Sequence, residues 1–223
     1  MKKVLILMMA LSLLLLAACG KNEPAQDYTT PADVVAQPEQ VQPKTEPAEA
    51  ELEVSESDFR TASLGDGKCE LVGCSATAKV IQVPETLYGE TVVGIGNNAF
   101  ALLDAKKIIL PDTVEYITEY AFSSCNKLEE VDLGNGLKKT GLFTFNDCNE
   151  LRSVSFPDGM EEMTEVCFGI CEKLGEVYVP ASVTTFGNLI VDPALCPNVV
   201  IVTPAGSAAE ANALEYGIPV RNP

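Results

Sequence analysis

Leu128-Glu129-Glu130-Val131-Asp132-Leu133, then a turn at Gly134, then Leu137, Thr140 and Thr144-Phe145-Asn146-Asp147-Cys148, is one unit of a pattern that returns every 23 residues. Phe122, Phe145 and Phe168 keep that spacing, as do Cys125, Cys148 and Cys171, Leu128, Leu151 and Leu174, and Val131, Val154 and Val177. Pro111, Pro157 and Pro180 fall on the same lattice, with Gly134 in the intermediate place. One such unit cannot bury its apolar face alone, so stacked neighbours must supply the core. Repetition therefore decides the fold before any propensity is consulted.

Within the unit, Val131, Asp132 and Leu133 alternate apolar and polar, which is a short strand with Val131 and Leu133 facing inward. A Pro or Gly then stops it. The same strand recurs as Ile81-Gln82-Val83, Ile108-Ile109-Leu110, Val154-Ser155-Phe156, Val177-Tyr178-Val179 and, more loosely, Val200-Ile201-Val202. Six strands on one lattice make a parallel sheet. The pairs Ala99-Phe100, Ala121-Phe122, Thr144-Phe145 and Cys167-Phe168 fall where a short helical or 3₁₀ turn would cover its open side. The fold class expected is an α/β solenoid.

The run Pro111-Asp112-Thr113-Val114, Ile117, Ala121-Phe122, Ser123-Ser124-Cys125 and Leu128 resembles the BspA-like class of bacterial leucine-rich repeat, over roughly residues 80–223. That resemblance implies a leucine-rich repeat fold and a role in adhesion and protein interaction. The pattern departs from the class at both ends. The first unit carries extra residues around Leu87-Tyr88-Gly89-Glu90-Thr91, and the fifth loses the Ala-Phe-Cys pattern across Gly187 to Cys196. Terminal units must turn a face to water and are expected to be atypical. Residues 58–79 read as an N-terminal hairpin cap turning at Gly65-Asp66-Gly67, ahead of a solenoid over 80–223. Ser207 to Tyr216 is Ala-rich and helical in pattern, closed by Gly217. It also resembles the closing cap of the repeat class.

Upstream, Lys2 and Lys3 precede an apolar run from Val4 to Leu16 that ends in Leu16-Ala17-Ala18-Cys19-Gly20. A charged start, an apolar stretch too short to span a bilayer and small residues at the end make residues 1–18 a signal peptide. The Leu-Ala-Ala-Cys sequence resembles the bacterial lipobox, which implies a lipid on Cys19. More than one acyl chain holds a domain stably on a bilayer, so the chain is expected outside the cytoplasm, anchored to the cell membrane. Residues 19–57, with Pro24, Pro31, Pro38, Pro43 and Pro47 among Glu, Gln, Ala and Thr, read as a disordered, self-repelling linker.

The whole chain has 223 residues, 15 Lys+Arg against 32 Asp+Glu, 8 Cys and no His or Trp. Cleavage before Cys19 removes two lysines, leaving 13 basic against 32 acidic residues, a charge of −19. Without histidine there is no Ser-His-Asp or Cys-His machinery and no imidazole ligand or base. The acidic balance and the lack of a basic patch argue against nucleic acid. No EF-hand loop, P-loop or dinucleotide fingerprint occurs, and no metal or other cofactor is expected. Cys125, Cys148, Cys171 and Cys167 read as small buried hydrophobes. Cys69 and Cys74, close together in the predicted hairpin, are the possible disulfide.

Repeat proteins bind along the surface formed by outward strand positions, usually the concave sheet face in leucine-rich repeats. In order these are Val80 and Gln82, Lys107 and Ile109, Glu130 and Asp132, Ser153 and Ser155, Glu176 and Tyr178, then Val199 and Ile201. The candidate ligand-binding face is taken as Lys107, Ile109, Glu130, Asp132, Ser153, Ser155, Glu176 and Tyr178, with Tyr178 and Ile109 as anchors for a protein partner. The expectation is a monomeric, non-enzymatic surface lipoprotein that binds a protein or cell-surface macromolecule, with the membrane as its second partner through Cys19. A structural envelope spacer and, more remotely, a carboxylate-based hydrolase using Glu130, Asp132 and Glu176 are the alternatives.

Overall fold

The computed structural model describes residues 54–164 and 166–223. The signal peptide, Cys19 and most of the linker expected from the sequence lie outside the described residues. The linker boundary moves: Val54 packs against the core, and the Tyr88 hydroxyl donates to the Glu56 carbonyl at 2.8 Å and the Phe59 carbonyl at 2.9 Å. Residues 54–57 are therefore part of the folded unit.

Strands β1 (Phe59–Gly65) and β2 (Lys68–Cys74) form the expected antiparallel hairpin. Its turn residues Gly65, Asp66 and Gly67 have φ of 81°, 53° and 70°, left-handed values that two glycines accept without strain. The hairpin does not bring Cys69 and Cys74 together. Both lie on β2, where Cys69 pairs with Ser63 and Cys74 with Phe59. Five residues along a strand is roughly 17 Å, beyond the reach of a disulfide, and odd spacing puts the two side chains on opposite faces. Both thiols are free.

The first turn of the solenoid contains β3 (Val80–Gln82), β4 (Thr86–Leu87) and β5 (Glu90–Ile95). The extra residues seen in the sequence form the β4–β5 hairpin, whose two central residues, Tyr88 and Gly89, both have positive φ, as a two-residue type I′ turn requires. Each later turn supplies a three-residue strand and, past a corner, a two-residue strand. These are β6 (Lys107–Ile109) with β7 (Tyr116–Ile117), β8 (Glu130–Asp132) with β9 (Lys139–Thr140), β10 (Ser153–Ser155) with β11 (Glu162–Met163), and β12 (Glu176–Tyr178) with β13 (Thr185–Phe186). Then come β14 (Val200–Val202), helix α1 (Ala208–Glu215) and β15 (Val220–Arg221).

Two parallel ladders result. The three-residue strands stack as β3-β6-β8 and as β10-β12-β14-β15, while the two-residue strands extend β1-β2-β5 into β7-β9-β11-β13. The chain is thus a β-solenoid with a leucine-rich repeat pattern, and among the described residues α1 is the one α-helix. The helical turns expected at the Ala-Phe pairs are isolated hydrogen-bonded turns instead, such as Ser123 N–H to the Tyr120 carbonyl at 2.9 Å. Residues two before and two after three of the core Phe residues are left-handed: Asn98 and Leu102 around Phe100, Tyr120 and Ser124 around Phe122, Phe143 and Asp147 around Phe145, with φ from 48° to 65°. Two such residues in five cannot be accommodated in a right-handed helix. They aim backbone groups at the neighbouring turn, where Phe122 N–H meets the Thr144 carbonyl and Phe145 N–H the Cys167 carbonyl, both at 2.9 Å.

The core is a set of columns. Phe100, Phe122, Phe145 and Phe168 stack with centroids 5.1, 5.0 and 5.3 Å apart and planes tilted by 14°, each ring fully buried. Burying one such ring contributes about 1.5–3 kcal/mol, and ring stacking adds to that. The cysteine column runs beside it. Cys125, Cys148, Cys171 and Cys196 each donate Sγ–H to a carbonyl of the preceding turn, on Phe100 (2.9 Å), Phe122 (3.1 Å), Phe145 (3.3 Å) and Gly169 (2.9 Å). The pattern that the sequence reading lost after Gly187 therefore continues with altered spacing, Val191 bridging to Phe168 and Cys196 completing the thiol column.

At the C-terminus Ser207 caps α1, its Oγ accepting from Glu210 N–H at 3.0 Å. Ala209 and Ala213 turn inward and Gly217 closes the helix with φ of 71°. The chain then adds β15 in parallel to β14, a last strand that the sequence pattern did not announce.

Candidate functional site

The eight residues expected on the ligand face all belong to the first ladder, and all are exposed or half-buried. Register puts Lys107 beside Glu130 and Ile109 beside Asp132, then Ser153 beside Glu176 and Ser155 beside Tyr178. Alternation explains the exposure: the central residues Ile108, Val131, Val154 and Val177 are buried, so their neighbours must point out.

The last strand breaks the expected order. Val199 and Ile201 are buried, and Val200 and Val202 occupy the positions next to Glu176 and Tyr178. One additional residue separates Val177 from Ile201 relative to the 23-residue lattice, and a one-residue shift exchanges the two faces of a strand.

Electrostatically, the strip is less acidic than its sequence implied. Lys107 Nζ lies 2.6 Å from Glu130 Oε1, and Arg221, brought in by β15, lies 2.9 Å from Glu176 Oε2. Each pair is solvent-exposed and contributes about 1 kcal/mol or less to stability, but each neutralises a carboxylate of the face. Glu130 and Asp132 share the outward face of β8, and Ser153 adjoins Glu176 in register. The Tyr178 hydroxyl donates to Asp158 Oδ1 at 3.2 Å, which orients the ring. Partial burial, then the Asp158 carboxylate, raises the Tyr178 hydroxyl above its ordinary pKa.

Two shallow clefts adjoin the strip. One, of about 320 Å³, lies between Gln82, Ile109 and Asp112, and the other, of about 290 Å³, between Asp132, Ser155 and Pro157. They share Asp132, Gly134 and Asn135. The second sits where the ladder is interrupted. β8 and β10 adjoin without pairing, and the Arg152 N–H to Glu129 carbonyl contact stretches to 3.5 Å against 2.8 Å for its equivalent one turn earlier.

The sequence reading assigned no binding role to the second ladder, whose outward residues are Tyr116, Lys139, Glu162 and Thr185. The signal was present as the buried column Val114, Leu137, Met160 and Val183, again at 23 residues. Its strands are two residues long, too short to declare an alternation. Among the described residues no group of three or more His, Cys, Asp or Glu is placed to hold a metal ion, and no helix is long and apolar enough to cross a membrane.

Three solved structures share this architecture. A leucine-rich repeat protein of T. pallidum is 23% identical over 68% of this chain and 71% of its own, with a TM-score of 0.61. A leucine-rich cell surface protein of Faecalibacterium prausnitzii is 21% identical over 71% of this chain and 40% of its own, with a TM-score of 0.57. A leucine-rich repeat protein of Bacteroides ovatus is 26% identical, over 66% of this chain and 39% of its own, with a TM-score of 0.53. No curated protein matches the chain. The BspA type leucine-rich repeat region matches in six copies over residues 81–192. With its stacked Phe and Cys columns and six matching repeats spanning half its length, the chain belongs to the BspA type leucine-rich repeat family.

Proposed function

We propose that the protein is a surface lipoprotein, held outside the cytoplasm by a lipid on Cys19, whose solenoid binds a protein or cell-surface partner through the outward side chains of the first ladder. One observation carries the reading: the buried centre of each strand holds Lys107, Ile109, Ser153, Ser155 and Tyr178 in register on the outward side of the ladder, with two of its three carboxylates, Glu130 and Glu176, already paired with a cation. Such a surface is presented without an ordering penalty, which favours binding. The repeat family and the cell-surface description of the Faecalibacterium neighbour support an extracytoplasmic interaction module over an enzyme. The Leu-Ala-Ala-Cys19 sequence supports the anchor.

Two experiments test the two halves. Radiolabelled fatty acid fed to the expressing bacterium labels the wild-type chain, and Cys19→Ala abolishes the label. Attachment of the purified full-length chain to host cells or extracellular matrix falls when Lys107→Glu and Tyr178→Ala are combined. Unchanged attachment in that variant, with an unaltered melting curve, refutes the first-ladder face.

A further inference from the structure

The second ladder carries a groove of about 440 Å³, formed where Tyr116, Lys139 and Glu162 stand side by side on β7, β9 and β11 and where Thr118, Glu119 and Thr164 follow at the corner. Its polar groups select a ligand by elimination. The Thr118 hydroxyl already donates to the Ile95 carbonyl at 3.1 Å, and the Thr164 hydroxyl to the Thr140 carbonyl at 2.9 Å. The Tyr116 hydroxyl donates to Glu70 Oε2 at 2.9 Å. These hydroxyl oxygens retain acceptor capacity only. Glu119 and Glu162, both exposed, add further acceptors. The groove therefore presents many acceptors against few donors, the Lys139 ammonium and the Asn97 amide, and it complements a ligand rich in donors.

Charge narrows the choice. The Lys139 ammonium lies 5.7 Å above the Tyr116 ring centroid and, among the described residues, forms no ion pair, although Glu162 adjoins it in register. Lys139 among the carboxylates disfavours a uniformly basic peptide, whose pairing with Glu119 and Glu162 it opposes, and the carboxylates disfavour a polyanion. A neutral chain of hydroxyl groups meets neither penalty. The ladder spacing of roughly 4.8 Å lets successive turns address successive parts of an extended molecule. We propose that the groove over β7, β9 and β11 binds a neutral oligosaccharide, with Glu119 and Glu162 accepting from sugar hydroxyls and Lys139 donating to a sugar oxygen. This site is separate from the first-ladder face, so either can fail without the other.

The test is calorimetric titration and saturation-transfer NMR of the full-length chain with maltohexaose, chitohexaose and mannohexaose. Hexalysine and a hyaluronan hexasaccharide serve as charged comparators. The expected result is that at least one neutral hexasaccharide binds and neither charged probe competes with it. Glu119→Ala with Glu162→Ala should weaken binding at least about tenfold, the loss expected for hydrogen bonds to charged acceptors, and Lys139→Ala should weaken it in the same direction. All three side chains are exposed, so the variants should melt as the wild type does, and Lys107→Glu on the other ladder should bind like wild type. The proposal is overturned if none of the three neutral sugars binds at millimolar concentration, if the double variant binds as tightly as wild type, or if a charged probe occupies the groove in preference.

Discussion

The Cys148 thiol donates to the carbonyl of Phe122, 3.1 Å away and one turn back along the solenoid, so this cysteine ties two repeats together and also fills the core between them. Cys148 is fully buried. Cys148→Ala removes both the sulfur volume and the donor. It is expected to destabilise the folded unit by about 2 kcal/mol, measured as a lower urea midpoint. Because each repeat of a solenoid rests on its neighbours alone, proteolysis of the variant should begin near this junction.

Leu102 offers a change in the opposite direction. Its φ is 65° and its side chain is 77% exposed, so the residue bears a left-handed backbone penalty with little burial in return. Asn tolerates that conformation, as Asn98 already does with φ of 58°. Leu102→Asn should raise stability by about 0.5–1 kcal/mol, seen as a higher thermal midpoint with unchanged circular dichroism.

Alkaline pH should unfold the protein through its thiols. Burial pushes Cys125 and Cys167 up to about 12 from an ordinary 9.0. Donation of its own proton toward the Cys148 sulfur, and then burial, hold Cys171 up at about 12. Burial and then Glu70 raise the Tyr116 hydroxyl from 10.0 to about 12. A group whose pKa is raised in the folded state keeps its proton while the unfolded chain gives it up, so stability is full below pH 9 and falls as the pH rises from 9 to 12. Thermal midpoints between pH 7 and 11 should be flat and then decline, with a shallower decline in Cys125→Ala.

Among the described residues thiol reactivity should be confined to one position. Seven cysteines among the described residues are free, and six of them are buried, Cys74 being half-buried. A buried thiol is shielded from a reagent, and where burial also raises its pKa, as at Cys125 and Cys167, it carries almost no thiolate near neutral pH. A thiol reagent should therefore label Cys74 first in the native chain and the other six only after denaturation, without any need for a reductant. Prior reduction increasing the denatured count would indicate a disulfide.

Backbone exchange should reveal the interruption of the first ladder. Leu110 N–H donates to Asp132 at 2.8 Å and Phe156 N–H to Tyr178 at 3.1 Å, whereas the equivalent Leu133 N–H has no such acceptor on β10. Amide hydrogen exchange at Leu133 should be at least about tenfold faster than at Leu110 or Phe156, while the second ladder, continuous from β9 to β11, protects Thr140 and its neighbours.

The sequence by itself determined the repeat. A 23-residue period in Phe, Cys, Leu and Val admits one economical arrangement, a stack in which like residues meet, and the Phe and Cys columns follow from it. The outward residues of the inner strands were legible for the same reason, since alternation about a buried Val leaves no other place for Glu130 or Ser155. Only the tertiary structure decided the rest. Left-handed residues such as Tyr120 and Phe143 carry no compositional mark of their conformation, so the isolated turns could not be told from helical ones. The shift that buries Ile201 in place of Val202's neighbour Val200 came from one residue in an irregular loop, and strand pairing resolved it. Arg221 reaches Glu176 across 45 positions of sequence, and Lys139 comes to Tyr116 and Glu162 only because successive turns stack. Local patterning sets which side chains face in or out, and packing between distant segments sets which outward groups become neighbours.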